Sequence, residues 1–264
     1  MNMAPYELKG WEQSYLPITA GDAPDGTVSL LGLSAPDKMA QLVPILASTY
    51  DADTRYSALT LLHFAIAAAA NLLIAPLALD GVTLTVKADH LGIVLAKDGS
   101  LTGIWIGREQ GSIHPGIDIQ RLGECLAEIL NPLVDAVNVS CGVGKPGIRL
   151  VMFDALARAC RRMERSQPVK TTSGWEDELL AAMGDVQKKA KRSYTVRPDD
   201  GPPIEMLIPR VCCVLARHSN CHSCPSCPQH SDEDRRKYTE EWLRSLDDDG
   251  FREETGRRRV VSAA

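Results

Sequence analysis

No excess of positive charge is present: Lys and Arg number 29 against 34 Asp and Glu, for a formal net charge of −5. That balance implies no basic face and argues against nucleic acid as a partner. The opening residues Met1-Asn2-Met3-Ala4-Pro5-Tyr6-Glu7 lack the basic and apolar regions of a secretory signal. A reducing, cytoplasmic compartment is therefore expected, in which thiols are available to bind metal. Aromatic residues are scarce at 5%, yet the composition is otherwise that of an ordinary soluble globular protein. No internal repeat is evident, and no Ser/His/Asp set or paired-carboxylate signature points to hydrolysis. The stretch Cys141-Gly142-Val143-Gly144-Lys145-Pro146-Gly147 fails as a phosphate loop, because a proline follows the lysine where Ser or Thr is required. It reads instead as a loop before a helix.

What is present is a concentration of thiols. Between Arg210 and Pro228 lie five of the eight cysteines and two of the six histidines. Crowded thiols rarely serve packing, whereas the ligands of a polynuclear metal site must converge on a small volume. Cys224 and Cys227 form a Cys-x2-Cys pair, and each is followed by proline, Pro225 and Pro228. Such a gap lets a tight turn aim both sulfurs at one metal, in zinc sites and iron–sulfur sites alike. Cys212 and Cys213 are adjacent. Neighbouring side chains diverge, so a vicinal pair suits one tetrahedral ion poorly, while a two-iron cluster relaxes the constraint. Ten residues separate Cys213 from Cys224.

The resulting Cys-Cys-x10-Cys-x2-Cys pattern, on Cys212, Cys213, Cys224 and Cys227, resembles the FhuF family of ferric-siderophore reductases. Arg210 and Pro228 match the family's flanking sequence as well. The resemblance is specific over about residues 209–228 and looser elsewhere. It implies a 2Fe–2S cluster on those four cysteines. A fifth thiol, Cys221, departs from the pattern and creates Cys221-x2-Cys224-x2-Cys227, a spacing akin to ferredoxin-type runs. Cys221 is thus an alternative ligand, and His222 a spare one.

Elsewhere the periodicity predicts helices packed around a small antiparallel sheet, an α+β fold. Up to about residue 36 the chain reads as loop and helix start, with Trp11 and Tyr15 one turn apart and a turn at Gly21–Gly26. Met39, Leu42, Val43, Leu46 and Tyr50 are spaced for one buried helical face, with Asp37 in the first turn. Ser57 to Leu79 approaches the length of a membrane span. His63, Asn71, Pro76 and many alanines within it favour a buried core helix, with His63 a hydrogen-bonded core residue. Val82–Val86, His90–Leu95 and Leu101–Ile106 are expected to pair as one antiparallel sheet, with Lys97-Asp98-Gly99-Ser100 as a hairpin turn. His90, Trp105, Arg108 and His114 fall at its ends. Helices follow at Gln120–Val139, interrupted near Pro132, at Leu150–Met163 and at Trp175 to about Lys191. Cys125, Cys141 and Cys160 read as small buried hydrophobes. Tyr238, Trp242, Leu243 and Leu246 predict a C-terminal helix with a narrow apolar stripe. The expected organisation is a domain over 1–165, a helical connection over 166–203, a cluster-binding segment over 204–230 and a charged helix and tail over 231–264.

These readings lead to a cytoplasmic oxidoreductase that reduces chelated Fe(III) and releases the metal from a siderophore of hydroxamate type. Its electron donor is expected to be a ferredoxin or flavin reductase, and it can associate peripherally with the inner face of the cell membrane. Arg210, Arg217 and His218 are candidate surface cations for an anionic chelate or an acidic donor. Two other classes remain open: a 2Fe–2S electron-transfer partner of another enzyme, and a zinc-binding structural or interaction module.

Overall fold

In the computed structural model, residues 16–107, 111–166, 174–184, 192–211, 224–248 and 250–251 are described. They form an α+β fold. Two short strands come first, β1 (Ile18–Ala20) and β2 (Thr27–Ser29), with the turn at Gly21–Gly26 between them. At Gly26, φ is +82° and a Cβ would sit 2.2 Å from the Leu95 carbonyl oxygen, so only glycine fits. Ser29 caps the short helix α1 (Leu30–Leu33) by accepting from the Gly32 N–H at 3.0 Å. Pro36 opens α2 (Pro36–Thr49), with Asp37 in its first turn as expected. Met39, Val43 and Leu46 are buried, whereas Tyr50 is exposed and meets Tyr56 edge-on.

The central element is α3 (Thr54–Ala69), capped by Asp53, whose carboxylate accepts from the Tyr56 N–H at 2.8 Å. It continues through a π turn at Ala70–Ile74 into α4 (Ala75–Leu79). Pro76 has no N–H and crowds the carbonyl four residues back, and the wide turn just before it absorbs that conflict. Asn71 within the turn donates to the Ala67 carbonyl at 2.8 Å. Thr54–Leu79 is long and apolar enough to cross a membrane, but 83% of its most apolar window is buried inside the protein. Its sides are covered by α2 and by two later helices, α5 (Ile119–Cys141) and α6 (Lys145–Ser166). It is a core helix.

The strand pairing differs from the expectation in three ways. β4 (Leu91–Leu95) and β5 (Leu101–Ile106) form the expected hairpin, but β2 occupies the other edge of β4 and β1 pairs parallel to β5. The order is β1-β5-β4-β2, and one of its pairs is parallel. Because both edges of β4 are taken, β3 (Val82–Thr85) pairs instead with β6 (Ser112–Pro115) in a separate ladder. Alternation identified the strands, but it carries no information about which edge is free. Helix α5 also runs unbroken through Pro132, and α6 starts five residues before Leu150. The helix α7 (Trp175–Ala182) stops short of the expected Lys191, closing at Gly184 with φ +82°; residues 185–191 lie outside the described set. Trp11 and Tyr15 lie outside it too.

Most buried apolar residues, from Leu30 to Met183, form one core. A second, smaller core is built by the hairpin β7 (Arg192–Val196) and β8 (Ile204–Ile208) with α8 (Asp232–Ser245). It comprises Tyr194, Val196, Ile204, Ile208, Leu243 and Phe251. Side chains alternate along β8: Ile204, Met206 and Ile208 face this second core, while Leu207 packs toward the main one. Ser231 caps α8, with Asp232, Glu233 and Asp234 in its first turn and Arg244 in its last, which complements the helix dipole.

Candidate metal centre

Two of the five clustered cysteines, Cys224 and Cys227, lie among the described residues; Cys212, Cys213 and Cys221, with Arg217, His218 and His222, lie outside them. Cys224-Pro225-Ser226-Cys227 is a β-turn closed by the Cys227 N–H donating to the Cys224 carbonyl at 2.8 Å. A second turn follows at once, the His230 N–H donating to the Cys227 carbonyl at 3.2 Å. Proline occupies the second position of each, where its fixed φ is already that of the turn. The Cys-Pro repeat is thus the local code for two consecutive turns. Cys227 is buried at 3% exposure, and Cys224 is half-buried with its Sγ 3.3 Å from Ser226 Oγ.

Arg235, on the first turns of α8, holds this double turn from behind. Its side chain is 2% exposed. Nε donates to the Cys227 carbonyl at 3.2 Å, Nη2 to the His230 carbonyl at 2.7 Å, and Nη1 to the Asp232 carboxylate at 2.6 Å. The guanidinium also lies 5.6 Å from the centre of the Tyr194 ring. Tyr194 is tied in turn to Thr239 through a 2.7 Å hydroxyl contact. Burial pushes the Tyr194 phenol above its ordinary pKa, partly opposed by the Thr239 hydrogen bond and by Arg235.

At the other end of the cysteine segment, Arg210 sits two residues before Cys212. Expected at the surface, it is buried, with its side chain 2% exposed against Asp154 of α6. One Asp154 oxygen accepts from the Arg210 backbone N–H at 2.6 Å and the other from Nε at 2.8 Å. Arg210 is therefore an anchor, and the surface-cation reading is corrected. A charge-assisted double bond of this kind fixes both position and orientation.

The positive charge near the turn comes from α6 instead. Arg158, Arg161 and Arg162 recur at helical spacing and, with Cys224, Ser226 and Trp242, line an open cavity of about 240 Å³. Arg161 is held by Glu176 at 2.9 Å and reaches Glu205 of β8 at 3.8 Å. Arg158 also borders a narrow crevice with Asp154 and Pro209, so the leading and trailing ends of the segment meet one face of α6.

The remaining candidates have structural partners. Trp105 Nε1 donates to the Gly21 carbonyl at 2.9 Å, His114 Nε2 lies 3.3 Å from Thr85 Oγ1, and His90 lies beside Asp89. His90 and Trp105 are neighbours on the β4–β5 hairpin, both beside Gly107, whereas His114 lies on the separate β3–β6 ladder; Arg108 lies outside the described residues. Cys125 and Cys160 are buried in the main core as expected, and Cys141 packs at its margin. Among the described residues no three His, Cys, Asp or Glu side chains gather as a metal shell.

Sequence reading missed Asp154, Arg158 and Arg235. A signal existed for Arg158, three residues before Arg161 and four before Arg162 on one helical face. None existed for Arg235, which stands in a charged run whose ordinary reading is a solvated face.

A scan against protein-family models finds no match, and no curated protein matches the chain.

Proposed function

We propose that this chain is an iron–sulfur ferric-chelate reductase similar to the FhuF family, with Cys212, Cys213, Cys224 and Cys227 holding a 2Fe–2S cluster. The observation that carries the reading is the clamped Cys224–Cys227 turn at the edge of an arginine-lined cavity. The donor set fits such a group: two thiols from a rigid turn, one buried and one facing the cavity, beside cations that offset a thiolate cluster's negative charge. A bound cluster would supply one-electron transfer.

The chain's own residues do the positioning. Arg235 fixes the carbonyls of Cys227 and His230, and Asp154 fixes Arg210 ahead of the vicinal pair. One electron from a ferredoxin or flavin reductase converts the chelated Fe(III) to Fe(II). Hard oxygen donors hold the reduced ion far less tightly, so the metal leaves with no covalent bond broken in the chelator. The setting is the cytoplasm, with peripheral association at the inner membrane face.

One observation favours the zinc-module alternative: among the described residues the second core has six buried hydrophobic residues, and a small core gains from a metal staple. Anaerobic purification followed by iron, sulfide and zinc analysis separates the two. About two irons and two sulfides per chain, with the visible absorbance of the reduced cluster restored on reoxidation by a ferric siderophore complex, support the reductase. Zinc in a colourless protein assigns the cysteines to architecture. The same iron content without reoxidation leaves an electron carrier for another enzyme. Serine at Cys212, Cys213, Cys224 or Cys227 should cripple cluster assembly, while Cys221→Ser retains the visible absorbance. The reverse pattern for Cys213 and Cys221 would reassign the ligands.

A further inference from the structure

We infer that the cavity beside Cys224 is a docking site for an anionic ligand, and that the chelate this protein takes is negatively charged, as catecholate and carboxylate iron complexes are, rather than neutral. The identity of the ligand's metal rests on the reductase reading; the preference for an anion rests on the cavity alone.

Three features carry the inference. First, Arg158, Arg161 and Arg162 all line one cavity, and three guanidinium groups on one helical face repel one another unless negative charge lies among them. Among the described residues, the Arg158 guanidinium has no carboxylate partner. Arg161 has Glu176 and, more distantly, Glu205. Among the described residues, Arg158 Nε donates only to a backbone carbonyl of its own helix, that of Asp154, at 3.4 Å. Asp154 spends its carboxylate on Arg210. Second, the charge of Arg158 is felt elsewhere: it helps to push the His63 imidazole down, after burial. Third, the cavity is a pocket rather than a face. It is walled by α6, β8, the Cys224 turn and α8, and Met206, Leu207 and Trp242 add apolar surface.

At about 240 Å³, the cavity is smaller than the roughly 300–1,000 Å³ that encloses a drug-sized ligand. It therefore admits one arm of a chelate and leaves the metal at the rim, next to Cys224. An acidic donor protein would find a recess rather than a matching flat surface. Guanidinium forks pair with planar carboxylates and catecholate oxygens through parallel N–H bonds, a geometry that a neutral hydroxamate complex does not repay with charge.

The test is calorimetric titration of the anaerobically purified full chain with redox-inert gallium complexes, a trianionic tris-catecholate and a neutral tris-hydroxamate. The anionic complex should bind at least about tenfold more tightly, with the margin shrinking as salt screens it. Arg158→Gln and Arg162→Gln should each weaken it about fivefold, while Arg149→Gln, on an exposed part of the same helix outside the cavity, should not. Equal binding of the two complexes, no binding of either, or an equal loss in Arg149→Gln would overturn the inference. Ferric reduction by the cluster-loaded protein is measured separately. Reduction of a neutral chelate without anion binding would leave the reductase standing and remove the pocket, whereas anion binding without reduction would do the reverse.

Discussion

The two cores of this protein are stabilised by different physics. In the main core the buried polar groups are few, and three close their hydrogen bonds within a turn of their own helix: Ser57 to the Asp53 carbonyl, Thr60 to Tyr56 and Asn71 to Ala67. Thr83 reaches across its ladder to Gly116. The rest is mostly apolar burial, chiefly aliphatic with Phe153 and Trp175 among it, each fully buried side chain contributing about 1.5–3 kcal/mol. Among the described residues the second core has six buried hydrophobic residues, and polar groups are buried with them: Arg210 reaches Asp154 and Tyr194 reaches Thr239 across the chain, while Arg235 grips the Cys227 and His230 carbonyls. A buried ion pair is often no more stabilising than a hydrophobic replacement of the same size. Its value is geometric. The region that carries the cysteines is the one where stability has been exchanged for fixed orientation, which is what a multi-thiolate site needs.

The strongest way to break that comparison is to cut the buried Asp154–Arg210 pair that joins the regions. Asp154→Ala leaves the Arg210 guanidinium buried without its carboxylate and should cost about 3–5 kcal/mol in urea denaturation. If the cysteines hold the proposed cluster, its visible absorbance should fall as well, because Arg210 lies two residues ahead of the vicinal pair. A loss under about 1 kcal/mol, the range of an exposed pair, would mean that Arg210 relaxes into solvent and that the two regions are coupled by packing alone.

Arg235→Lys is gentler and more selective. The charge survives, but an ammonium cannot reach the Cys227 carbonyl, the His230 carbonyl and Asp232 with one planar fork. About 2 kcal/mol should be lost, and metal content per folded chain should fall further than stability does. Ile129→Val in the main core supplies the contrast: about 0.5–1.5 kcal/mol lost with metal content unchanged. If both variants hold metal equally well, Arg235 is a structural residue only and the clamp has no bearing on the site.

The two regions were also unequally legible in sequence. Helical periodicity placed α2, α3, α5 and α6, because a single apolar stripe is a local signal. Pairing was not local: β3 went to β6 once β2 had taken the free edge of β4, and no stretch of β3 records that competition. The cysteine spacing and the Cys-Pro repeat could be read directly, and the double turn follows from proline's fixed φ. What could not be read was burial of charge. Arg210 follows an apolar strand and Arg235 stands in a charged run, and they become buried because Asp154, 56 residues away, and the Cys227 carbonyl, eight residues away, come to meet them. Composition-based reasoning assigns arginine to the surface by default, and it fails where a distant partner reverses the default.

His63 sharpens the comparison from the side of the main core. Burial first, and the nearby Arg158 second, lower its pKa to about 4. Above the ordinary histidine value of about 6.5 the ring is neutral in both folded and unfolded chains, and stability is unaffected by it. As the pH falls below that value the unfolded chain takes up the proton while the folded protein resists, so stability is lost progressively until about pH 4 is passed. The ring keeps part of its surface, which reduces the effect to about 2 kcal/mol. The difference in urea midpoint between the wild type and His63→Gln, followed from pH 7 to pH 4, isolates this contribution from the carboxylates that titrate in both. The wild type should lose ground to the variant across that window. Arg158→Gln should raise the histidine pKa and shrink the effect, as should an anion bound beside Arg158. An unchanged His63 titration in Arg158→Gln would place the cause in burial alone and confine the arginine field to the cavity.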